Sequence, residues 1–413
     1  MFESQYFRED VSSILLGESE RNLIPYGKQD IDVDDIAAVT SALSQEFLTQ
    51  GPTVGVFERA LAAYTNASFA VAVNSATSAL HLSCLALGVG EGDLVWTSAV
   101  SFVASANAAR YCGADVDFVD IDATTANVSV EALEKKLRLS RDQGDQLPKV
   151  FIPVHMAGQP CDMEEISRLS EEYGFKIIED ASHALGSSYL DQRIGYCEFS
   201  DITVFSFHPV KMITTGEGGA CLTNDEALAA KIQRLRSHGI TRSSQEMQFA
   251  NEGGWYYEQL DLGFNYRLTD IQSALGISQL RRLDFFVAER NAIAKRYVDL
   301  LSESQLQPLR LEGSRASSFH LFIVRTDDPT GAERKRLFEL MRSHGILVNV
   351  HYIPIYRHPY YRSYSEFQIG DFNGSELYYK TCLSLPIYPG LSSSDQDKVV
   401  RILGQRLGHQ TIF

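Results

Sequence analysis

Three short stretches of the chain carry residues whose types and spacing suit chemistry between an amine and a carbonyl. The first is residues 204–222, VFSFHPVKMITTGEGGACL. An apolar run of β type breaks at Pro209, presents one lysine, Lys211, and passes through Gly216, Gly218 and Gly219 into a second apolar run. Beside Phe207, Val210, Met212 and Ile213 a lysine loses hydration, its charged form is disfavoured, and the neutral amine that condenses with a carbonyl to a Schiff base becomes accessible. Taken by itself, Lys211 also reads as a surface lysine in a loop. The second stretch, FKIIED, is a buried-strand pattern that ends in Asp180 and is followed by Ala181, Ser182 and His183. A carboxylate at the C-terminal end of a strand in an open α/β sheet points into the crevice where ligands bind. Alone, Asp180 reads equally as a helix N-cap. The third stretch, NSATS at 74–78, lies between a strand pattern and an apolar-periodic helix that ends near Leu87. Small and hydroxylated residues at a helix start leave N–H groups open to a phosphate. A plain cap by Ser75 or Thr77 explains that stretch as well.

An amine that forms an imine, an acid that keeps a pyridine nitrogen protonated and a cradle for a phosphate are together what pyridoxal phosphate requires of a protein. The combination NSATSAL, EDASHALGS, FSFHPVKMITTGEGG and GFNYRLTDIQ resembles the DegT/DnrJ/EryC1/StrS sugar aminotransferases, of pyridoxal-phosphate fold type I, from about Tyr26 to the C-terminus. The resemblance implies a role for each matching residue. Lys211 holds pyridoxal 5'-phosphate and then serves as general base, while Asp180 keeps the ring nitrogen protonated. Phe102 stacks on the ring and His183 contacts its hydroxyl. Ala76, Thr77 and Ser206 bind the phosphate, and Asn265 reaches the phosphate of the other subunit, so that a homodimer shares its active sites. Tyr26 and Thr49 approach the sugar, and His351 and Tyr352 contact the sugar nucleotide from the partner subunit. L-Glutamate is the implied amino donor and leaves as 2-oxoglutarate.

Some members of the group carry histidine in place of the lysine and dehydrate sugars; Lys211 argues for transamination. LTQGP, SFVASAN, SHALGSSY, RSHGI and VHYIPIY resemble the pseudaminic-acid branch, which aminates C4 of a UDP-linked 4-keto-6-deoxy-N-acetylhexosamine. His183, where glutamine is commoner in the wider group, agrees with that branch. Two other readings share the same cofactor residues: an aminotransferase for another UDP- or dTDP-linked 3- or 4-keto sugar, and a non-catalytic pyridoxal-phosphate protein.

The elements that must position these residues are legible as patterns. Between 57 and 224, strand patterns near 70–74, 93–98, 115–120, 149–154, 175–179, 202–206 and 219–223 alternate with helical ones near 77–87, 101–111, 130–139 and 162–173, as in a mostly parallel sheet covered on both faces. Beyond about 286 a helix from Ala288, a strand at 319–324, a helix at 331–344, a strand at 347–350 and a closing helix from Ser392 to Leu407 suggest a smaller α/β lobe. The expected organisation is therefore an extension over 1–24, a large cofactor-binding domain over 25–285 and a small C-terminal domain over 286–413. A helix is expected from Asp32 to Leu48, with Gly51 as a helix C-cap in one reading of the loop that follows.

With 413 residues, the length suits two domains, and 44% apolar and 22% charged residues are globular values. A net charge of −16 speaks against a nucleic-acid or anionic-membrane partner, because either needs a basic face. The longest uncharged stretch, 94–109, is broken by Thr97, Ser98, Ser101, Ser105 and Asn107, so no membrane span is expected, and the start of the chain has no leader pattern. Six scattered cysteines without a C-x-x-C spacing suit reduced thiols rather than a disulfide or metal site. A cytoplasmic enzyme follows.

Overall fold

A computed structural model of the chain describes residues 23–249, 252–363, 367 and 369–404. Nearly all of the expected N-terminal extension, and the last residues of the expected closing helix, therefore lie outside the described residues.

Seven strands form the central sheet: β1 (Phe69–Val73), β2 (Leu94–Ser98), β3 (Asp115–Val119), β4 (Val150–Ile152), β5 (Lys176–Asp180), β6 (Ile202–Ser206) and β7 (Gly219–Thr223). They lie in the order β1-β7-β6-β5-β4-β2-β3. β7 runs antiparallel to both its neighbours, and the other neighbours pair in parallel. Side chains alternate strictly between the faces: Ala72, Trp96, Phe151, Ile177, Phe205 and Leu222 enter one core, while Val71, Val95, Ile152, Ile178, Val204 and Cys221 enter the other. With both faces covered, polar alternation disappears and the strands read as continuous apolar runs. Each large side chain buried this way contributes about 1.5–3 kcal/mol.

Helices cover both faces: α1 (Val33–Leu43), α2 (Pro52–Thr65), α3 (Ala76–Ala86), α4 (Ala104–Tyr111), α5 (Val130–Gln143), α6 (Met163–Tyr173), α7 (Glu226–Leu235) and α8 (Asp270–Arg281). Their ends follow local chemistry. Asp225 accepts the N–H groups of Ala227 and Leu228 at the start of α7, and Thr269 with Gln272 closes a reciprocal cap at the start of α8. Gly174, at φ 77°, ends α6. α3 is buried almost all round, so it has no wet face and lies as a rod within the core.

Several expectations shift. α1 stops at Leu43 rather than Leu48, and Gly51 precedes a helix instead of ending one. The Asp270 carboxylate accepts the N–H groups of Gly51 (2.8 Å) and Thr53 (2.9 Å), a distant side chain doing the work of a local cap. The strand expected at 319–324 begins at Phe322, because Phe319 sits at φ 48°, outside the β region. No strand forms at 347–350; Asn349 makes one isolated bridge, to Ser384. In the smaller lobe β8 (Phe322–Arg325) pairs antiparallel with β9 (Cys382–Leu385), and α10 (Ala332–Ser343) packs beside them. The helix expected from Ala288 starts at Leu283, and this α9 (Leu283–Leu301) runs 19 residues. Leu283 and Phe286 enter the core of the large sheet, whereas Ile293, Ala294, Tyr297 and Leu301 enter that of the smaller lobe. Its apolar face is thus shared between the two cores, which is why it extends beyond the periodicity of either half alone.

Candidate active site

A cleft of about 480 Å³ opens where the carboxyl ends of β5 and β6 meet the N-terminus of α3 and the segment 349–352. Lys211 enters from the turn after β6. That turn is pinned at several points: the Lys211 N–H donates to His208 (2.8 Å), the Thr214 hydroxyl to the Phe207 carbonyl (3.2 Å), and Thr215 N–H to the same carbonyl (3.0 Å). Phe207, Met212 and Ile213 are buried in the core behind it, while Val210 is half-buried and lines the cleft. Burial pushes the Lys211 ammonium down to about 8, against the opposite pull of the Asp180 carboxylate. At pH 7 about a tenth of such amines are neutral, hundreds of times the fraction for an ordinary lysine.

Asp180 closes β5 and lines the cleft. Both of its carboxylate oxygens are held: Ser105 Oγ donates to Oδ2 (2.7 Å), and Ser182 donates its Oγ (2.6 Å) and N–H (3.2 Å) to Oδ1. Ser182 lies two residues from Asp180, a spacing in which a hydroxyl can turn back onto a carboxylate. Ser105 lies 75 residues away, and no local sequence signal marks it. Sequence reasoning gave neither a role in the site.

Ala76, Thr77 and Ser206 gather at one end of the cleft. Ala76 and Thr77 begin α3, where the first N–H groups have no carbonyl within the helix. The Ser75 hydroxyl takes the Ser78 N–H (3.1 Å), leaving the two earlier amides for a ligand. Gly219 makes this geometry possible: a Cβ there would lie 2.5 Å from the Ala76 nitrogen and 2.6 Å from the Ser75 carbonyl carbon.

At the other end stand aromatic and imidazole side chains. His183 is buried, donates or accepts through Nε2 with the Tyr352 hydroxyl (3.2 Å), and leaves Nδ1 without a partner among the described residues. Its ring lies 4.4 Å from that of His320, another residue the sequence reading did not single out. Burial and the nearby Lys211 charge hold the His183 and His320 imidazoles well below the usual histidine range, and bring His351 down to about 3. All three are neutral donors or acceptors at physiological pH. Phe102 is 58% exposed, an uncovered ring on the cleft wall 6.0 Å from Tyr352. Tyr26 packs 5.2 Å from His351. The resemblance had His351 and Tyr352 serving the partner's site; they instead line the cleft of their own Lys211, because the loop after 349 returns over the large sheet, where Ile355 N–H bonds to Ala99.

Two expected site residues stay outside this cleft. Thr49 is exposed and is pinned by a bridge to Thr269. Asn265 is exposed as well, and is bridged to Ser237. Among the described residues no cluster of His, Cys, Asp and Glu could hold a metal ion, and no helix is long and apolar enough to cross a membrane.

A partly neutral lysine, a carboxylate fixed on both oxygens, an amide cradle that only glycine admits and a buried orphan nitrogen on His183 fit pyridoxal phosphate, so the cleft is that of a pyridoxal-phosphate enzyme. The comparisons make the class specific. The model of the DegT/DnrJ/EryC1/StrS aminotransferase family matches residues 29–404. The UDP-4-amino-4,6-dideoxy-N-acetyl-beta-L-altrosamine transaminase of Campylobacter jejuni subsp. jejuni serotype O:23/36 is 38% identical over 377 residues, 90% of this chain and 94% of that one. Among solved structures, Helicobacter pylori PseC, an aminotransferase involved in the biosynthesis of pseudaminic acid, superposes with a TM-score of 0.85 at 30% identity, covering 93% of this chain and 98% of that one. The PLP-form of Spr1654 from Streptococcus pneumoniae gives 0.82 at 29% identity, covering 92% and 97%. The chain belongs to the DegT/DnrJ/EryC1/StrS family and is a pyridoxal-phosphate-dependent sugar aminotransferase.

Proposed function

We propose that the protein transfers the amino group of L-glutamate to C4 of a UDP-linked 4-keto-6-deoxy-N-acetylhexosamine, working as a cytoplasmic homodimer. The observation that carries the reading is the match, over nearly the whole chain, to the Campylobacter jejuni transaminase whose name specifies a UDP-linked 4-amino-4,6-dideoxy-N-acetyl sugar. Asn265 supports the dimer: it is exposed and away from its own chain's Lys211, as a residue serving the partner's site would be. The six cysteines, free and in five cases buried, suit a reducing compartment.

Bound pyridoxal phosphate supplies an electron sink conjugated to the amino group being moved. This chain's residues would do the rest. Lys211 would hold the cofactor through its amine and, as a free base, would take the proton from the donor's Cα. Asp180, kept anionic and immobile by Ser105 and Ser182, holds the ring nitrogen in its protonated form. Thr77, Ser206 and the first amides of α3 take the phosphate without a cationic cluster. His183 meets the ring hydroxyl, Phe102 covers one ring face, and Tyr26, His351 and Tyr352 orient the sugar. Neutral imidazoles serve there, because a cation beside Lys211 would oppose its protonation during the transfer.

A panel assay tests the substrate: UDP- and dTDP-linked 4-keto and 3-keto hexoses are offered with glutamate, and the aminated sugar is identified by mass and by NMR. Preference for the UDP-linked 4-keto-6-deoxy-N-acetyl sugar is expected. Turnover restricted to a dTDP sugar or to a 3-keto position would replace it with another sugar, and a cofactor-loaded protein that aminates none would make it a non-catalytic binder.

A further inference from the structure

Behind Asp180, on the opposite face of β5, lies a second carboxylate that the reaction does not use. Glu179 is 4% exposed, and three donors converge on it: His155 Nε2 (2.7 Å) and Thr203 Oγ1 (2.9 Å), together with the Ser200 hydroxyl. The Cys161 N–H points at His155 Nδ1 (3.0 Å), and Nε2 of the same ring faces Glu179. Burial alone would raise the Glu179 carboxyl, and the donors of His155, Ser200 and Thr203 bring it below the usual range, so it remains an anion. Burying an anion is costly, and an apolar side chain of similar volume would pack this interior as well or better. What the anion does that an apolar residue would not is join three strand ends. Thr203 stands opposite Glu179 on β6, the strand that leads to Lys211. His155 follows β4, and its own N–H donates to the Asp180 carbonyl (3.1 Å) while its ring holds Glu179. Consecutive residues of β5 thus face opposite sides yet are both tied to the same histidine.

We propose that Glu179 and His155 are positioning residues for the transfer: by tying the carboxyl end of β5 to the segment that follows β4 and to the start of β6 they fix where Asp180 stands relative to Lys211. The proposal rests on the reading of Asp180 given above. Glu179→Gln is the informative change: it keeps the side chain's volume and an oxygen for His155, but it removes the charge and replaces the other oxygen with an NH2 group that the Ser200 and Thr203 hydroxyls, now donors, must turn round to accept.

The test compares wild type, Glu179→Gln, Asp180→Asn and the double variant. Three quantities are measured: steady-state kcat, KM for glutamate, and the rise in melting temperature that pyridoxal phosphate gives each apoprotein. Glu179→Gln is expected to lower kcat by about 10- to 100-fold, the scale of a small misplacement, with KM unchanged. It is also expected to shrink the cofactor-induced rise in melting temperature and to add nothing further in the Asp180→Asn background. A merely structural role would lower both melting temperatures equally and multiply with Asp180→Asn; that result, or an unchanged kcat, overturns the proposal. Unchanged kcat in Asp180→Asn alone would instead overturn the reading of Asp180. Should Glu179→Gln fail to fold, Thr203→Val, which removes one donor, carries the same comparison with a smaller expected loss.

Discussion

The two walls of the Lys211 cleft are built on different principles. On the cofactor wall Asp180 and Ser206 end strands, Ala76 and Thr77 begin a buried helix, and backbone groups set most of the geometry. On the opposite wall, the one proposed to meet the sugar, Tyr26, His351 and Tyr352 arrive on loops tied together by side-chain contacts, such as His183 to Tyr352 at 3.2 Å and His351 Nδ1 to the Ser384 hydroxyl at 2.8 Å. Regular structure places an atom through many small constraints, whereas a loop places it through a few large ones. The first wall is therefore expected to resist repositioning and to fail outright when a key atom is removed, and the second to trade affinity gradually.

The largest test of this contrast is Lys211→Ala. Turnover should fall by ~10³-fold or more, since the covalent anchor and the base are lost together, and borohydride reduction followed by peptide mapping should no longer label residue 211. Next is Gly219→Ala. The new methyl would press on the first amide of α3, so cofactor affinity should drop by about tenfold or more and stability by about 1–3 kcal/mol, read by equilibrium titration and thermal melting. Unaltered affinity would mean the cradle is softer than the close approach implies. On the other wall, Tyr352→Phe removes one hydrogen bond from a buried imidazole, and KM for the sugar should rise about two- to tenfold with kcat nearly intact. A collapse of kcat instead would erase the distinction between the walls. The smallest effect is on stability. Lys211 is brought from 10.5 to about 8 in the fold, so between those values the unfolded chain binds a proton that the folded one does not. The contribution of Lys211 to apoprotein stability should thus rise with pH across that window, read as the difference between denaturant titrations of wild type and Lys211→Met, because the buried cysteines, whose thiols are pushed up to about 12, drive total stability the other way over the same range.

The same contrast explains what was legible in the amino-acid pattern. β6 and β7 fall where their uninterrupted apolar runs indicate, and the turn between them puts Lys211 beside Asp180 because parallel strands bring their carboxyl ends to one edge. Ser182 was within reach of a local argument, since its hydroxyl needs to span only two residues. Ser105 and His320 were not: nothing near them in the chain marks the long-range packing that brings one to Asp180 and the other to His183. The segment 347–350 looked like a strand because Leu347, Val348 and Val350 are good β-formers, yet only one bridge to Ser384 forms. Gly51 misled for a related reason: a glycine after an apolar stretch suits either end of a helix, and the carboxylate that decides the matter, Asp270, lies 219 residues further along.

One continuous rod, α9, feeds both interiors. A cut placed near residue 286 would strip the lobe on either side of apolar surface it cannot replace, so neither fragment should be a well-behaved domain. A proline midway along that rod would transmit its damage in both directions, and heat should melt the two lobes together rather than in sequence.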